Sequence, residues 1–134
     1  MSYQRLAGCL PQSQAKVAAN RFPDLPGATI PRSEWSTVSI RHQVPCILDQ
    51  DGTNECCPHA GVLTVMTRRR QQGYKHILLS SASVYRWING GRDQGAAIGD
   101  CLDTIATYGS LPVSVHSMLD WRAKLPAEHE QIAA

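Results

Sequence analysis

The sequence has no long hydrophobic run and little net charge, and both absences narrow its possible functions. No stretch is long and apolar enough to span a membrane, so we expect no membrane partner. The formal net charge is only +2 over 134 residues, which gives no global reason to expect a nucleic-acid partner. The one basic run is the three arginines at 68–70. Adjacent arginines on a helix fan around its axis, so we interpret this run as a solvated face.

The cysteines show neither the number nor the spacing of a disulfide scaffold. They are Cys9, Cys46, Cys56, Cys57 and Cys101. An odd, irregular set in a chain of this length favours a reducing compartment. Residues 6–9 read Leu-Ala-Gly-Cys, as in a bacterial lipobox. A lipobox follows a charged region and an apolar stretch of about 7–15 residues, which are missing here, so we expect no export signal.

Proline divides the chain into an arm and a globular part. Weak periodicity and the prolines at 11, 23, 26 and 31 predict an extended arm over residues 1–33, with a short helical turn near residues 14–20. Residues 34–134 then form one domain, and the chain is long enough to bury a core. Short extended structure is expected over 34–55, ending in a turn at 51–54.

Four helices are predicted by apolar periodicity and by end signals. The first begins at Cys56 or Cys57, with Asn54 or Glu55 able to cap it, and it stops near Gly73. A second is capped by Ser80 or Ser81 and ends at residues 89–91, Asn-Gly-Gly, and a third runs from about 96 to 108. A last short helix is expected over 117–124. The domain is therefore mostly helical, with long ordered loops and little strand.

The segment 49–60 combines features that a reactive thiol needs. Cys56 lies at a predicted helix N-terminus, where the helix dipole and free backbone N–H groups stabilise a thiolate and lower the pKa of a thiol. Gln50 supplies an amide donor a few residues upstream. Together with the backbone N–H of Cys56, that amide would form an oxyanion hole for a tetrahedral intermediate.

This segment resembles the nucleophile loop of the papain-like cysteine peptidases, especially their bacterial and phage-type members. Gln50 precedes Cys56 by six residues, which is the family spacing between the oxyanion glutamine and the nucleophile. The resemblance therefore implies that Cys56 and Gln50 are catalytic. It also implies an extended peptide or protein substrate, with no metal and no other cofactor.

The resemblance continues along the chain, over about residues 33–121. Residues 79–81 and Tyr85 resemble a family helix start with its aromatic residue. Asp93-Gln94-Gly95 resembles the loop that lines the family's substrate cleft, so Gly95 and Gln94 are expected to bind substrate. The implied fold is α+β and helix-dominated, with residues 34–134 forming the helical lobe of an incomplete peptidase domain.

The family's histidine base is the largest departure. In papain-like enzymes the His and its Asn or Asp partner lie about 130–150 residues after the nucleophile, whereas this chain ends at Ala134. His59 follows Cys56 by three residues and could touch the thiol, but on the side of the helix and not across a cleft. Asp51, Thr53 and Cys57 also depart from the residues usual in the family.

Two functions therefore stay open, and with them the question of whether the chain is an enzyme. The first is a cysteine peptidase module whose base would come from a partner chain that carries the β-rich lobe or from an absent segment. The second is an inactive structural or peptide-binding protein in a larger assembly, such as a phage particle. Either is compatible with the cytoplasm or a virion.

Simpler interpretations of the cysteines also stay open. Cys56 could be a structural thiol in the core. Together with Cys46, Cys57 and His59 it could bind zinc, although this set matches no standard zinc spacing.

Overall fold

The computed structural model describes residues 10, 14–15, 31–37, 39–50 and 52–130. Within them, the α-helices are α1 (Cys56–Gln71), α2 (Ser81–Asn89), α3 (Ile98–Tyr108) and α4 (Ala127–Glu130). Short 3-10 turns cover Arg32–Glu34 and Arg41–Gln43. Gln14 and Ala15 are helical, and the rest of the predicted arm up to residue 30 lies outside the described residues, apart from Leu10.

The first three helices form close to where local signals predicted them. α1 begins at Cys56. Ser80 caps α2, because its side chain accepts a hydrogen bond from the backbone N–H of Ser83. Gly90, at φ 59°, ends α2 in the left-handed conformation that glycine adopts at little cost. The proposed capping of α1 is wrong for Glu55, which occupies the N-cap position without forming a side-chain capping bond.

The helix predicted over 117–124 is also wrong. That segment forms successive turns, and the short α4 comes after it. The Ser117 hydroxyl accepts a hydrogen bond from the backbone N–H of Leu119, and the Asp120 carboxylate accepts one from Ala123. Short polar side chains that bind nearby backbone groups in this way compete with helical hydrogen bonds.

The helix-dominated part of the predicted fold class is confirmed, but no strand forms within the described residues. An isolated antiparallel bridge joins Leu79 and Pro112, and Ala96 is likewise a bridge residue. In its described residues the expected extended segment over 34–55 forms no strand: Trp35 is 70% and Ile47 97% exposed, and a turn closes locally at Gln43. A strand needs a neighbour for its backbone groups, so the β part of an α+β fold is not present in this region.

The apolar core lies where α1, α2 and α3 meet. Two clusters of buried residues form it: Cys57, Ala82, Tyr85, Ala96, Cys101 and Trp121 in one, and Val62, Met66, Leu79 and Val84 in the other. Gly61 lets α3 approach α1 closely, because a Cβ at this position would stand 2.8 Å from the Ile105 Cδ1 atom. The helices that carry the predicted site are thus fixed by close packing.

We predict that Ser80→Ala destabilises the protein by about 1–2 kcal/mol. The Ser80 side chain caps α2, and it also lies 3.3 Å from the carbonyl oxygen of Ser117 and 3.4 Å from Nδ1 of His116. Urea unfolding followed by circular dichroism gives the free energy of unfolding. Ser114→Ala, at an exposed position, is the matched control and should change it little. Equal effects of the two substitutions would contradict this role for Ser80.

Candidate functional site

The predicted nucleophile is the first residue of a long helix. Cys56 opens α1, which is 16 residues long, and it is partly buried against the first core cluster. The first turn of a helix has backbone N–H groups without helical partners. Cys57 and Cys101 are buried in that core, and burial raises the pKa of the Cys46 thiol. Among the described cysteines, Cys56 thus combines partial exposure with a helix N-terminus.

Gln50 is held on a turn that ends three residues before Cys56. Its carbonyl oxygen accepts hydrogen bonds from the backbone N–H of Thr53 at 3.0 Å and from the Thr53 hydroxyl at 2.7 Å. Its Nε2 atom donates to the Thr53 carbonyl at 2.8 Å. Gly52, at φ 76°, makes the tight turn possible. An amide nitrogen carries two hydrogens, so Gln50 keeps one for a further acceptor.

The loop around 93–97 is joined to the nucleophile loop through Asp93. The Asp93 Oδ1 atom accepts one hydrogen bond from the backbone N–H of Asn54 at 3.0 Å and another from the Tyr85 hydroxyl at 2.8 Å. Tyr85 is fully buried in α2. These bonds place the segment that precedes Cys56 beside the loop that contains Gly95.

The backbone groups of Gly95 are used within the protein. Its N–H donates to the Tyr85 hydroxyl at 2.9 Å, and its carbonyl accepts from Asn89 Nδ2 at 2.8 Å. Gln94 is exposed and donates through Nε2 to Asn89 Oδ1. The carbonyl in this loop that pairs with a distant segment is that of Ala96, which accepts a hydrogen bond from the Leu10 N–H at 3.0 Å. Substrate binding by Gly95 and Gln94 stays a prediction.

Glu55 is a buried acid that sequence reasoning treated only as a possible helix cap. It is 1% exposed, and its Oε2 atom has no hydrogen-bond partner within the part of the chain that the structure describes. Burial raises the pKa of Glu55 to about 7, and the negative charge of Asp93 adds to the rise, while hydrogen bonds from Ser81 and Thr53 oppose it. A glutamate before a helix gives no local sign of burial, because the residues that cover it are distant in sequence.

His59 is engaged on both ring nitrogens. Its Nδ1 atom lies 3.0 Å from the Glu55 carbonyl oxygen, and its Nε2 atom lies 3.2 Å from the Ser81 hydroxyl. A carbonyl oxygen can only accept, so Nδ1 carries a proton, and in the neutral ring Nε2 accepts from Ser81. The ring is also buried, at 8% exposure. These contacts give His59 a structural position and not that of a base facing Cys56.

His116 is likewise buried, with Nδ1 3.1 Å from the Ser117 carbonyl and 3.4 Å from the Ser80 hydroxyl.

Within the described ranges, no group of three or more His, Cys, Asp or Glu residues is arranged to hold a metal ion, and this includes the set considered for zinc. None of the helices there has the length and hydropathy needed to cross a membrane. A groove of about 330 Å³ between α1 and α3, lined by Val62 and Ile105, contains neither Cys56 nor Gln50.

Comparisons of the chain with protein-family models, with curated proteins and with solved structures found no match. The resemblance to papain-like peptidases therefore depends on the residues of the chain itself and stays a prediction.

Replacing Glu55 by glutamine should stabilise the protein at neutral and alkaline pH. A carboxyl whose pKa is about 7 when folded, against a usual value of 4.5, favours folding below pH 4.5, and this contribution is lost as the pH rises through 7. The free energy of unfolding should therefore fall across this window in the native protein and fall less in Glu55→Gln. At pH 8 we expect the variant to be more stable by about 2–3 kcal/mol.

Urea unfolding at pH 5, 6, 7 and 8 measures this effect. Glu34→Gln is the matched control, since Glu34 is exposed on a 3-10 turn and should leave the pH dependence as in the native protein. If the free energy of unfolding changes with pH in the same way in the native protein and in Glu55→Gln, the Glu55 carboxyl does not oppose folding.

Removing the Tyr85 hydroxyl should loosen the two loops from each other. Tyr85→Phe keeps the buried ring but deletes the donor to Asp93 and the acceptor for the Gly95 N–H. We expect a loss of about 2–3 kcal/mol, because these partners are left unsatisfied. Hydrogen exchange at Gly95 should also become faster. Tyr74→Phe, at an exposed tyrosine, is the control; exchange at Gly95 as slow as in the native protein would count against the link.

Proposed function

We propose that this chain is the nucleophile-bearing half of a papain-like cysteine peptidase. The observation that carries the proposal is the position of Cys56: partly exposed, at the start of α1, and preceded by a turn that holds Gln50 through hydrogen bonds on both its main chain and its side chain. A helix N-terminus favours thiolate, and a fixed amide donor nearby suits an oxyanion hole.

The reaction would proceed by nucleophilic catalysis. The Cys56 thiolate forms a bond to the carbonyl carbon of a peptide, and the carbonyl electron pair moves to oxygen, where Gln50 Nε2 and the Cys56 N–H donate hydrogen bonds. Collapse of this intermediate breaks the C–N bond, and the amine leaves with a proton from the protonated histidine that forms an ion pair with the thiolate. Water then attacks the thioester, which releases the acid and restores the thiol.

The base for this reaction would come from outside the described residues. A papain-type mechanism needs a histidine facing the thiol, whereas the ring nitrogens of His59 contact Glu55 and Ser81, and those of His116 contact Ser80, Ser117 and Ala123. We propose that a second chain with a β-rich lobe supplies it, so that peptide cleavage depends on assembly.

A specific observation favours the second candidate function, a peptide-binding or structural module. Leu10 lies 86 positions before Ala96 in the chain, yet its N–H donates to the Ala96 carbonyl at 3.0 Å. Backbone pairing of this kind is how an extended peptide is bound by an exposed edge. The loop beside the predicted nucleophile therefore has a carbonyl suited to pair with extended chain, with or without cleavage. A phage particle is one assembly that such a module would serve.

Thiol reactivity is the first test of the peptidase proposal. We expect iodoacetamide to modify Cys56 at least tenfold faster than Cys46 at pH 7, because Cys56 lies partly exposed at the free backbone N–H groups of a helix start while burial raises the pKa of Cys46. Peptide mass spectrometry of the native chain across pH gives the rate at each cysteine. Cys56→Ser identifies the signal, and Cys46→Ser is the matched control that should leave Cys56 labelling unchanged.

A rate at Cys56 no higher than at Cys46 would overturn the peptidase proposal and leave the binding module. A peptide that carries an electrophilic group distinguishes the peptidase from the binding module.

A peptidase should be labelled by this probe selectively at Cys56. Gln50→Ala should then lose labelling by the probe but keep labelling by iodoacetamide, because only the peptide reaction needs Gln50 and Cys56 to act together.

A further inference from the structure

Two hydroxyl groups beside Glu55 each have two competing acceptors. The Thr53 hydroxyl donates to the Gln50 carbonyl at 2.7 Å, and it also faces the carboxyl group of Glu55. The Ser81 hydroxyl lies 3.2 Å from Nε2 of His59 and faces the same carboxyl group. A hydroxyl has a single hydrogen, so each of these side chains serves one acceptor at a time.

The protonation state of Glu55 decides which acceptors are served. A neutral carboxyl carries its own hydrogen, so both hydroxyls can donate elsewhere, to Gln50 and to His59. An ionised carboxylate only accepts, and hydrogen bonds to a charged acceptor are roughly twice as strong as neutral ones. The hydroxyl hydrogens then turn towards Glu55, and the Gln50 carbonyl and His59 Nε2 lose these donors.

We propose that Glu55 is a positioning residue whose ionisation withdraws one hydrogen bond from the Gln50 turn, through Thr53, and one from the His59 ring, through Ser81. Among the described residues no group donates a hydrogen bond to Oε2 of Glu55, and a buried carboxyl oxygen in this state is the geometric sign of such a switch. The significance of the Gln50 turn for catalysis rests on the proposed function, whereas the switch itself does not.

The groups around Glu55 come from each element packed against it. On α1, Nδ1 of His59 lies 3.9 Å from Oε2. From the 93–97 loop, the charge of Asp93 disfavours ionisation of Glu55. On α2, the Tyr85 hydroxyl donates to Asp93. Burial first, and then Asp93 and Glu55, raise the pKa of Tyr85 to about 12. Tyr85 therefore stays neutral while Glu55 titrates, at a pKa of about 7.

Nuclear magnetic resonance on the full chain tests the switch residue by residue between pH 5 and 9. We expect the side-chain carboxyl carbon of Glu55, the side-chain amide of Gln50 and Nε2 of His59 to shift with a common midpoint near pH 7. Glu55→Gln should abolish this transition at Gln50 and His59. The exposed His42 and His76 are internal references whose signals should be the same in the variant as in the native protein.

Two further variants test separately the route through Thr53 to Gln50 and the route through Ser81 to His59. Thr53→Val keeps the side-chain shape without the hydroxyl, and it should remove the response of Gln50 while that of His59 persists. Ser81→Ala should do the reverse. These variants keep Glu55 itself in place, so they test the proposal even if Glu55→Gln does not fold.

A Glu55 midpoint near its usual value of 4.5, or a Gln50 transition that survives in Thr53→Val, would overturn the proposal. The outcome is independent of peptidase chemistry, because none of these signals requires a reactive thiol. If Gln50 and His59 respond to Glu55 but Cys56 is unreactive, the switch is supported and the peptidase proposal is rejected. If Cys56 is reactive but these transitions are absent, the peptidase proposal is supported and the switch is rejected.

Discussion

The hydrogen bond between the buried Tyr85 hydroxyl and Asp93 is the interaction on which the arrangement of the site depends. Through Asp93 it fixes Asn54, two residues before Cys56, and through its own oxygen it holds the N–H of Gly95. Two loops that are about 40 positions apart in sequence thereby share one anchor on α2. Packing of Tyr85 against Trp121, with ring centroids 6.0 Å apart, keeps that anchor out of water, where its hydrogen bonds are strongest.

The same region contains a group that opposes folding. Glu55 is buried beside the start of α1 with an unsatisfied oxygen, and an apolar or amide side chain would be tolerated better there at neutral pH. Departures from the most stable choice tend to occur at functional sites. The location of this one, directly before Cys56, is therefore consistent with a role in chemistry or binding and not in stability.

Much of the helical frame was predictable because its signals are local. Ser80 as the cap of α2, Gly90 after it and Cys56 at the start of α1 depend on neighbours within one helical turn. Burial of Glu55 depends on Ser81, 26 positions away, and the partners of Gly95 depend on how the loop folds back on α2. Such contacts leave no periodic pattern. The helix predicted over 117–124 was wrong for a related reason, because the spacing of its residues did not reveal the turns that its polar side chains stabilise.

The two buried histidines of the described residues, His59 and His116, have structural contacts. The rings of His59 and His116 join helix starts and turns through both their nitrogens, so diverting either to catalysis would leave buried polar groups without partners. In the proposed mechanism a base for Cys56 would instead come from a partner or from another segment. Such an arrangement would keep the thiol idle until assembly, while the loop beside it already accepts a backbone hydrogen bond from Leu10 at Ala96. Binding and cleavage would then be separate properties of one scaffold, the first built into this chain and the second conferred by its partner.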